Sequence, residues 1–231
     1  MRGIVSALSL QPVSSSSDPA AESLLAAGTW TRWVSLYDAS GLGGTVANWS
    51  IASAADSEAK IGGAGVSQTI WSPCGQYLCV VERKSNGVLI YDVRVTRKLV
   101  GWLEGRPADT NQRLGVDVFG AEGKGPCEVW AGGTDGILRV WRDVAMNEGA
   151  KKPDWEWTAH ESAVSGTVVH PSGMVVATCS GERGLDSDSE TSETGSGSES
   201  DENGQSDCDS GRGSSKSEHG IPDNSIKIWR L

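Results

Sequence analysis

The sequence predicts an all-β chain assembled from four copies of one short-strand unit. Three observations carry this: short runs with period-2 alternation, turn residues between them, and a recurring aromatic–polar pair. The clearest copy spans 66–103. Val66-Ser67-Gln68-Thr69-Ile70-Trp71 alternates, Ser72-Pro73-Cys74-Gly75 turns, and Gln76-Tyr77-Leu78-Cys79-Val80-Val81 is apolar. Ser85-Asn86-Gly87 turns again before Val88-Leu89-Ile90-Tyr91-Asp92, and Lys98-Leu99-Val100-Gly101-Trp102-Leu103 closes the unit. Period-2 alternation bounded by Gly, Pro, Asn and Ser is the sign of half-buried strands joined by turns.

The same order recurs over 4–51, 114–157 and 164–231. The third predicted strand of each unit ends on Tyr37-Asp38, Tyr91-Asp92, Trp141-Arg142 or Trp229-Arg230, at spacings of 54, 50 and 88 residues. Units of about 40–50 residues with four strands and such an aromatic pair resemble the blades of WD-repeat β-propellers. The fold class expected is therefore a WD40-type β-propeller of about four four-stranded blades.

The long last spacing comes from an insert. Residues 184–222 hold eleven serines, ten acidic residues and two basic ones. Low hydrophobicity with high charge cannot offset the entropy of ordering, so a disordered acidic loop is expected between the second and third strands of the last blade. Ser187, Ser198 and Ser206 each precede an acidic residue by three positions and are candidate sites for an acidophilic kinase, which would deepen the negative charge. Without the insert 192 residues remain for four units, 48 each. Propellers of this kind close with about seven blades, so the expectation is roughly half a ring, either a fragment or one that closes with another chain.

Charge separates in the same way. The chain has 30 acidic and 20 basic residues, a formal net charge of -10. The insert carries -8 of this, leaving 20 acidic and 18 basic groups elsewhere, so the blades are nearly neutral. Bulk charge does not favour coating nucleic acid, but a local basic patch remains compatible with the blades. Five cysteines without a C-x-x-C pair argue for a reducing compartment, cytosolic or nuclear. No apolar run approaches the roughly 18 residues of a membrane helix, and His160, His170 and His219 form no metal-ligand spacing.

WD-repeat blades use a His, a Ser or Thr, a turn Asp and a Trp as one buried hydrogen-bonded chain. By that resemblance His160, Ser180, Asp223 and Trp229 form such a set, and Asp135 and Trp141 hold the corresponding turn and third-strand positions. A His–Ser–Asp trio also has the composition of a catalytic triad, but every member falls on a blade-framework position, which favours scaffold. Gly41-Leu42-Gly43-Gly44 and Gly62-Gly63-Ala64-Gly65 precede strands and read as turns, not phosphate cradles. The expectation is a protein without enzymatic activity, cofactor, metal, small-molecule substrate or membrane partner.

A narrower resemblance lies in the connections. Trp71-Ser72-Pro73-Cys74-Gly75, then Thr110-Asn111-Gln112-Arg113, then Val169-His170-Pro171 and Ala177-Thr178-Cys179-Ser180-Gly181-Glu182-Arg183 stand in an order similar to the C-terminal blades of the telomerase Cajal body protein family. The acidic insert after Ser180-Gly181, rejoining at Ile226-Lys227-Ile228-Trp229, is similar too. That resemblance implies a ribonucleoprotein scaffold of the nucleus, in Cajal bodies or nucleoplasm. It would bind small Cajal body RNAs or telomerase RNA, with RNP proteins as further partners. A generic protein-binding scaffold, for example in pre-mRNA splicing, is the alternative. For the RNA role the candidates are Asn111, Gln112, Arg113 and Arg183, with Arg83 and Lys84 as added phosphate contacts; planar guanidinium groups suit both stacking and bidentate contact.

Overall fold

The computed structural model describes residues 2–12, 23–39, 43–120, 127–144, 146, 148–181 and 223–231. They form antiparallel meanders arranged as successive blades. Blade 1 comprises β1 (Val5–Leu10), β2 (Leu24–Thr29), β3 (Trp33–Asp38) and β4 (Thr45–Ser50). Blade 2 comprises β5 (Val66–Trp71), β6 (Tyr77–Glu82), β7 (Gly87–Asp92) and β8 (Lys98–Glu104). Blade 3 has β9 (Val116–Gly120), β10 (Cys127–Gly132), β11 (Ile137–Trp141) and β13 (Trp155–Thr158). Blade 4 has β14 (Val164–Val169), β15 (Val175–Ser180) and β16 (Ile226–Arg230). The sequence pattern did not announce β12 (Gly149–Lys151), which leaves the β11–β13 connection and pairs in parallel with β8 of the preceding blade. Gly101 permits this, because a Cβ there would sit 2.5 Å from the Gly149 carbonyl. No described helix is long and apolar enough to cross a membrane.

The period of two places alternate side chains on opposite faces of each sheet. On β6, Leu78 and Val80 join the core toward blade 1, whereas Cys79 and Val81 join the core toward blade 3. On β10, Val129 and Ala131 face blade 2 while Trp130 faces blade 4. Three apolar layers therefore lie between four sheets, an arrangement that stacks blades around an axis. Tryptophans dominate the last layer: Trp155 and Trp157 stack at 4.9 Å, and Trp157 meets Trp229 of blade 4 edge-on at 6.0 Å.

The blades repeat in detail. A β-bulge opens β1, β5 and β14 at Val5/Ala7, Val66/Gln68 and Val164/Gly166, and in each the bulged residue is a serine after a valine. Ser6 donates to the Val66 carbonyl of the next blade at 2.6 Å, and Ser67 and Ser165 donate within their own blades to Val81 and Cys179, both at 3.2 Å. Innermost strands are also tied across blades. The Gln68 amide donates to the Val116 carbonyl at 2.8 Å and accepts from the Val116 NH at 3.1 Å. Asp117 accepts from the Val169 NH at 2.7 Å, although burial pushes its carboxyl upward in pKa.

Close approach of neighbouring blades needs glycine at several positions, two of them at the ends of second strands. A Cβ at Gly28 would collide with Val66, and one at Gly132 with Val164. Gly132→Ala is expected to force the fourth blade outward and cost about 1–3 kcal/mol, the usual penalty for an overfilled core. Chemical denaturation measures it; a change within about 0.5 kcal/mol would mean the blades adjust freely.

Candidate nucleic-acid interface

Antiparallel order brings the β2–β3, β6–β7 and β10–β11 turns to one end of the blades. The β4–β5, β8–β9 and β13–β14 connections emerge at the same end, with Ser180 and Asp223 bordering it. The candidate RNA-binding and blade-network residues read from the sequence, where described, belong to this end or to the strands beneath it, whereas His170 and the Ser72–Gly75 turn lie at the opposite end.

Beneath it, in blade 4, lies the polar chain. His160 is buried; its Nδ1 is 3.1 Å from Asp223 Oδ2 and its Nε2 is 2.9 Å from Thr178 Oγ1. Trp229 Nε1 donates to the same Thr178 oxygen at 2.9 Å. An ionised carboxylate only accepts, so Nδ1 is the donor to Asp223, and the Thr178 hydroxyl lies between Nε2 and the Trp229 NH. The hydroxyl in the chain is thus that of Thr178. Ser180, two residues further along β15, donates instead to the Ala163 carbonyl at 3.0 Å. Among the described residues no serine touches His160 Nε2, and Ser225, whose Oγ is 3.4 Å from Nδ1, donates to Asp223, so the trio there lacks the nucleophile–base contact of a triad.

Asp223 is held well below the usual carboxylate range, first by the Ser225 hydroxyl and then by the Glu161 NH, His160 and Lys227. A carboxyl whose folded pKa is depressed adds stability above its unfolded value, about 3.9, and that stability is lost as pH falls below it. Thermal unfolding of wild type and Asp223→Asn across pH is therefore expected to differ most near neutrality and to converge on acidification. A gap that stays constant down to acid pH would show that the charge contributes nothing.

Blade 3 does not repeat this chain. Arg106 follows β8 as His160 follows β13, and its Nε and Nη2 donate to the Gly132 and Leu114 carbonyls at 2.8 and 3.0 Å. Burial, aided by the charge of Arg139, pushes its pKa down to about 10. Asp135 engages Arg139 at 2.6 Å, and Trp141 Nε1 is buried without a partner among the described residues. Arg106 pins the end of the 105–115 connection to β10, which fixes where the Asn111-Gln112-Arg113 segment stands.

That segment is raised toward solvent. Asn111 and Arg113 are exposed, and the Gln112 NH donates to Thr110 Oγ1 at 3.1 Å. Arg113 lines a groove of about 570 Å³ with Ser9, Gln68 and Thr69 of the inner strands. The Lys84 NH donates to the Thr110 carbonyl at 3.2 Å, which brings the β6–β7 turn against this connection. Arg83 and Lys84 therefore stand beside the Asn111–Arg113 segment. Arg183, Ser187, Ser198 and Ser206 lie outside the described residues.

Arg32, Arg94, Lys98, Arg139, Arg142, Lys151 and Lys227 each meet a carboxylate. Several cations have no ion pair: among the described residues Arg2, Arg97, Arg106, Lys152 and Arg230 meet no carboxylate. Arg83, Lys84 and Arg113 also meet none among the described residues, nor does Lys60 in the 51–65 connection of the same end. Two features here were missed in the sequence. Arg32, at a left-handed φ of 63°, forks onto Glu82 at 2.7 and 3.0 Å and onto Asp56 at 2.7 and 2.8 Å. Trp30, in the β2–β3 turn, lies under Arg83, whose Cζ is 3.1 Å from the ring centroid.

Comparison with known proteins agrees with this architecture. The guanine nucleotide-binding protein negative regulator 1 of Schizosaccharomyces pombe is 34% identical over 148 residues, 64% of this chain and 32% of its own length. Telomerase Cajal body protein 1 of Homo sapiens is 28% identical over 196 residues, 84% of this chain and 31% of its own. Both relatives are of the WD-repeat type. The fold is a partial WD-repeat propeller. No family model matches the chain. The chain spans about a third of the length of each relative. WD-repeat blades of this kind serve as scaffolds, which is the role these relatives support here.

Proposed function

We propose that this scaffold binds single-stranded RNA at its loop-bearing end, as part of a nuclear ribonucleoprotein. The observation that supports the reading is the backbone contact of Lys84 with Thr110, which sets the turn of Arg83 and Lys84 against the connection that carries Asp109, Asn111, Gln112 and Arg113; the three cations have no carboxylate partner among the described residues. Unpaired Lys and Arg supply the salt-dependent phosphate contacts, and Asn and Gln side chains supply donors and acceptors for base edges. The likeness to telomerase Cajal body protein 1 favours small Cajal body RNAs or telomerase RNA as the ligand, with Cajal bodies or the nucleoplasm as the location.

Crosslinking in cells followed by RNA sequencing tests this. Enrichment of small nuclear RNAs is expected; recovery of no RNA would overturn the reading. A second reading rests on the relative named as a negative regulator of a guanine nucleotide-binding protein. There the same end would hold a protein partner, and the crosslinked species would be protein alone.

A further inference from the structure

Trp30 is an exposed tryptophan placed where a blade does not need one. It lies in the β2–β3 turn outside the alternating strand pattern and remains 52% exposed, whereas Trp49, Trp71, Trp130 and Trp141 are buried in the interblade layers. Arg83 comes from the equivalent turn of the next blade and lays its guanidinium over the indole. The pair is built from below. Gly65, at φ +120°, sits so close that a Cβ would come within 2.7 Å of the Trp30 carbonyl and 3.0 Å of Arg83 Nη2. The Gly65 carbonyl accepts from the Arg83 NH at 3.0 Å, and the Gly65 NH donates to buried Glu82 at 3.3 Å. Glu82 is in turn gripped by Arg32, two residues beyond Trp30. Among the described residues the guanidinium makes one hydrogen bond, from Nη2 to the Ala64 carbonyl at 3.2 Å, and no ion pair.

We infer that the Trp30–Arg83 pair is a stacking platform for an unpaired nucleobase, with Arg83 also facing the adjoining phosphate. The inference rests on the RNA reading above and adds to it the part of the ligand recognised: a base face, beside the backbone contacts of Lys84 and Arg113. A rigid indole and a planar guanidinium both offer π surfaces to a base, and such stacking tolerates any base identity.

The test compares a short unstructured single-stranded RNA with an abasic ribose–phosphate oligomer of the same length. Wild type is expected to bind the RNA about tenfold more tightly than the abasic oligomer. Trp30→Ala should remove that difference without changing abasic binding, and Trp30→Tyr should restore most of it. Arg83→Lys, which keeps the charge and loses the plane, should also narrow the gap. Equal binding of the two oligomers by wild type would overturn the platform and leave the RNA reading standing. So would an equal loss on both oligomers in Trp30→Ala. Binding of neither oligomer by wild type would overturn both.

Discussion

Glu82→Ala is expected to cost about 3 kcal/mol, the largest single loss of stability among the residues of the loop-bearing end. Glu82 is buried and shares two hydrogen bonds with Arg32, whose side chain is only 16% exposed. Removing one partner of a buried pair leaves the other charge without compensation, which is why truncation costs more than the pair itself contributes. Arg32 keeps its fork to Asp56, whose carboxyl that contact lowers in pKa, so the loss falls at the low end of the range for buried pairs. Burial outweighs Arg32 at Glu82 and raises the pKa of its carboxyl. A chain of this size should lose roughly 6–12 °C in Tm. The same variant removes the acceptor of the Gly65 NH and leaves Arg32 held by Asp56 alone, so the floor beneath Trp30 and Arg83 loosens with it. A loss under about 1 kcal/mol would place the pair with weak, solvated surface bridges.

The largest effect on binding is expected from reversing Lys84 and Arg113 together. Neither residue holds a carboxylate among the described residues, and neither supports the apolar layers, so stability should change little. Affinity for single-stranded RNA should fall tenfold or more near physiological salt, and to a similar degree for every sequence, because phosphate contacts carry no base information. Each lost contact should also reduce the slope of log affinity against log salt by about 0.7. Two contacts therefore predict a drop of about 1.4. An unchanged slope with weaker binding would mean that the substitutions act through the fold.

The blades were legible because burial on alternate faces writes a period of two directly into the chain. Leu78-Cys79-Val80-Val81 feeds two cores at once, and the repeated Val-Ser of Val5-Ser6, Val66-Ser67 and Val164-Ser165 marks the same bulge three times. The polar chain of blade 4 was legible in its His, Asp and Trp. Thr178 and Ser180 point to the same face two residues apart, and only the register of β15 against β16 places the Thr178 hydroxyl between His160 and Trp229. Arg106 had no local sign of burial, since an arginine before a proline reads as an exposed turn. β12 gave none either: Gly149-Ala150-Lys151 is too short and too small to alternate, and its pairing depends on Gly101 in another blade. Trp30 did leave a trace. It is a large aromatic in a turn between two apolar runs, a place where polar residues normally stand.

A near-neutral set of blades can hold RNA at its loop-bearing end only through cations left free of carboxylates there. Titrating the wild-type protein with a short unstructured single-stranded RNA over a range of salt concentrations measures this. Measurable binding is expected, weakening with salt at a log–log slope of about 2, the sum of roughly three phosphate contacts from Arg83, Lys84 and Arg113. Undetectable binding at low salt, or binding whose affinity does not change with salt, would contradict it.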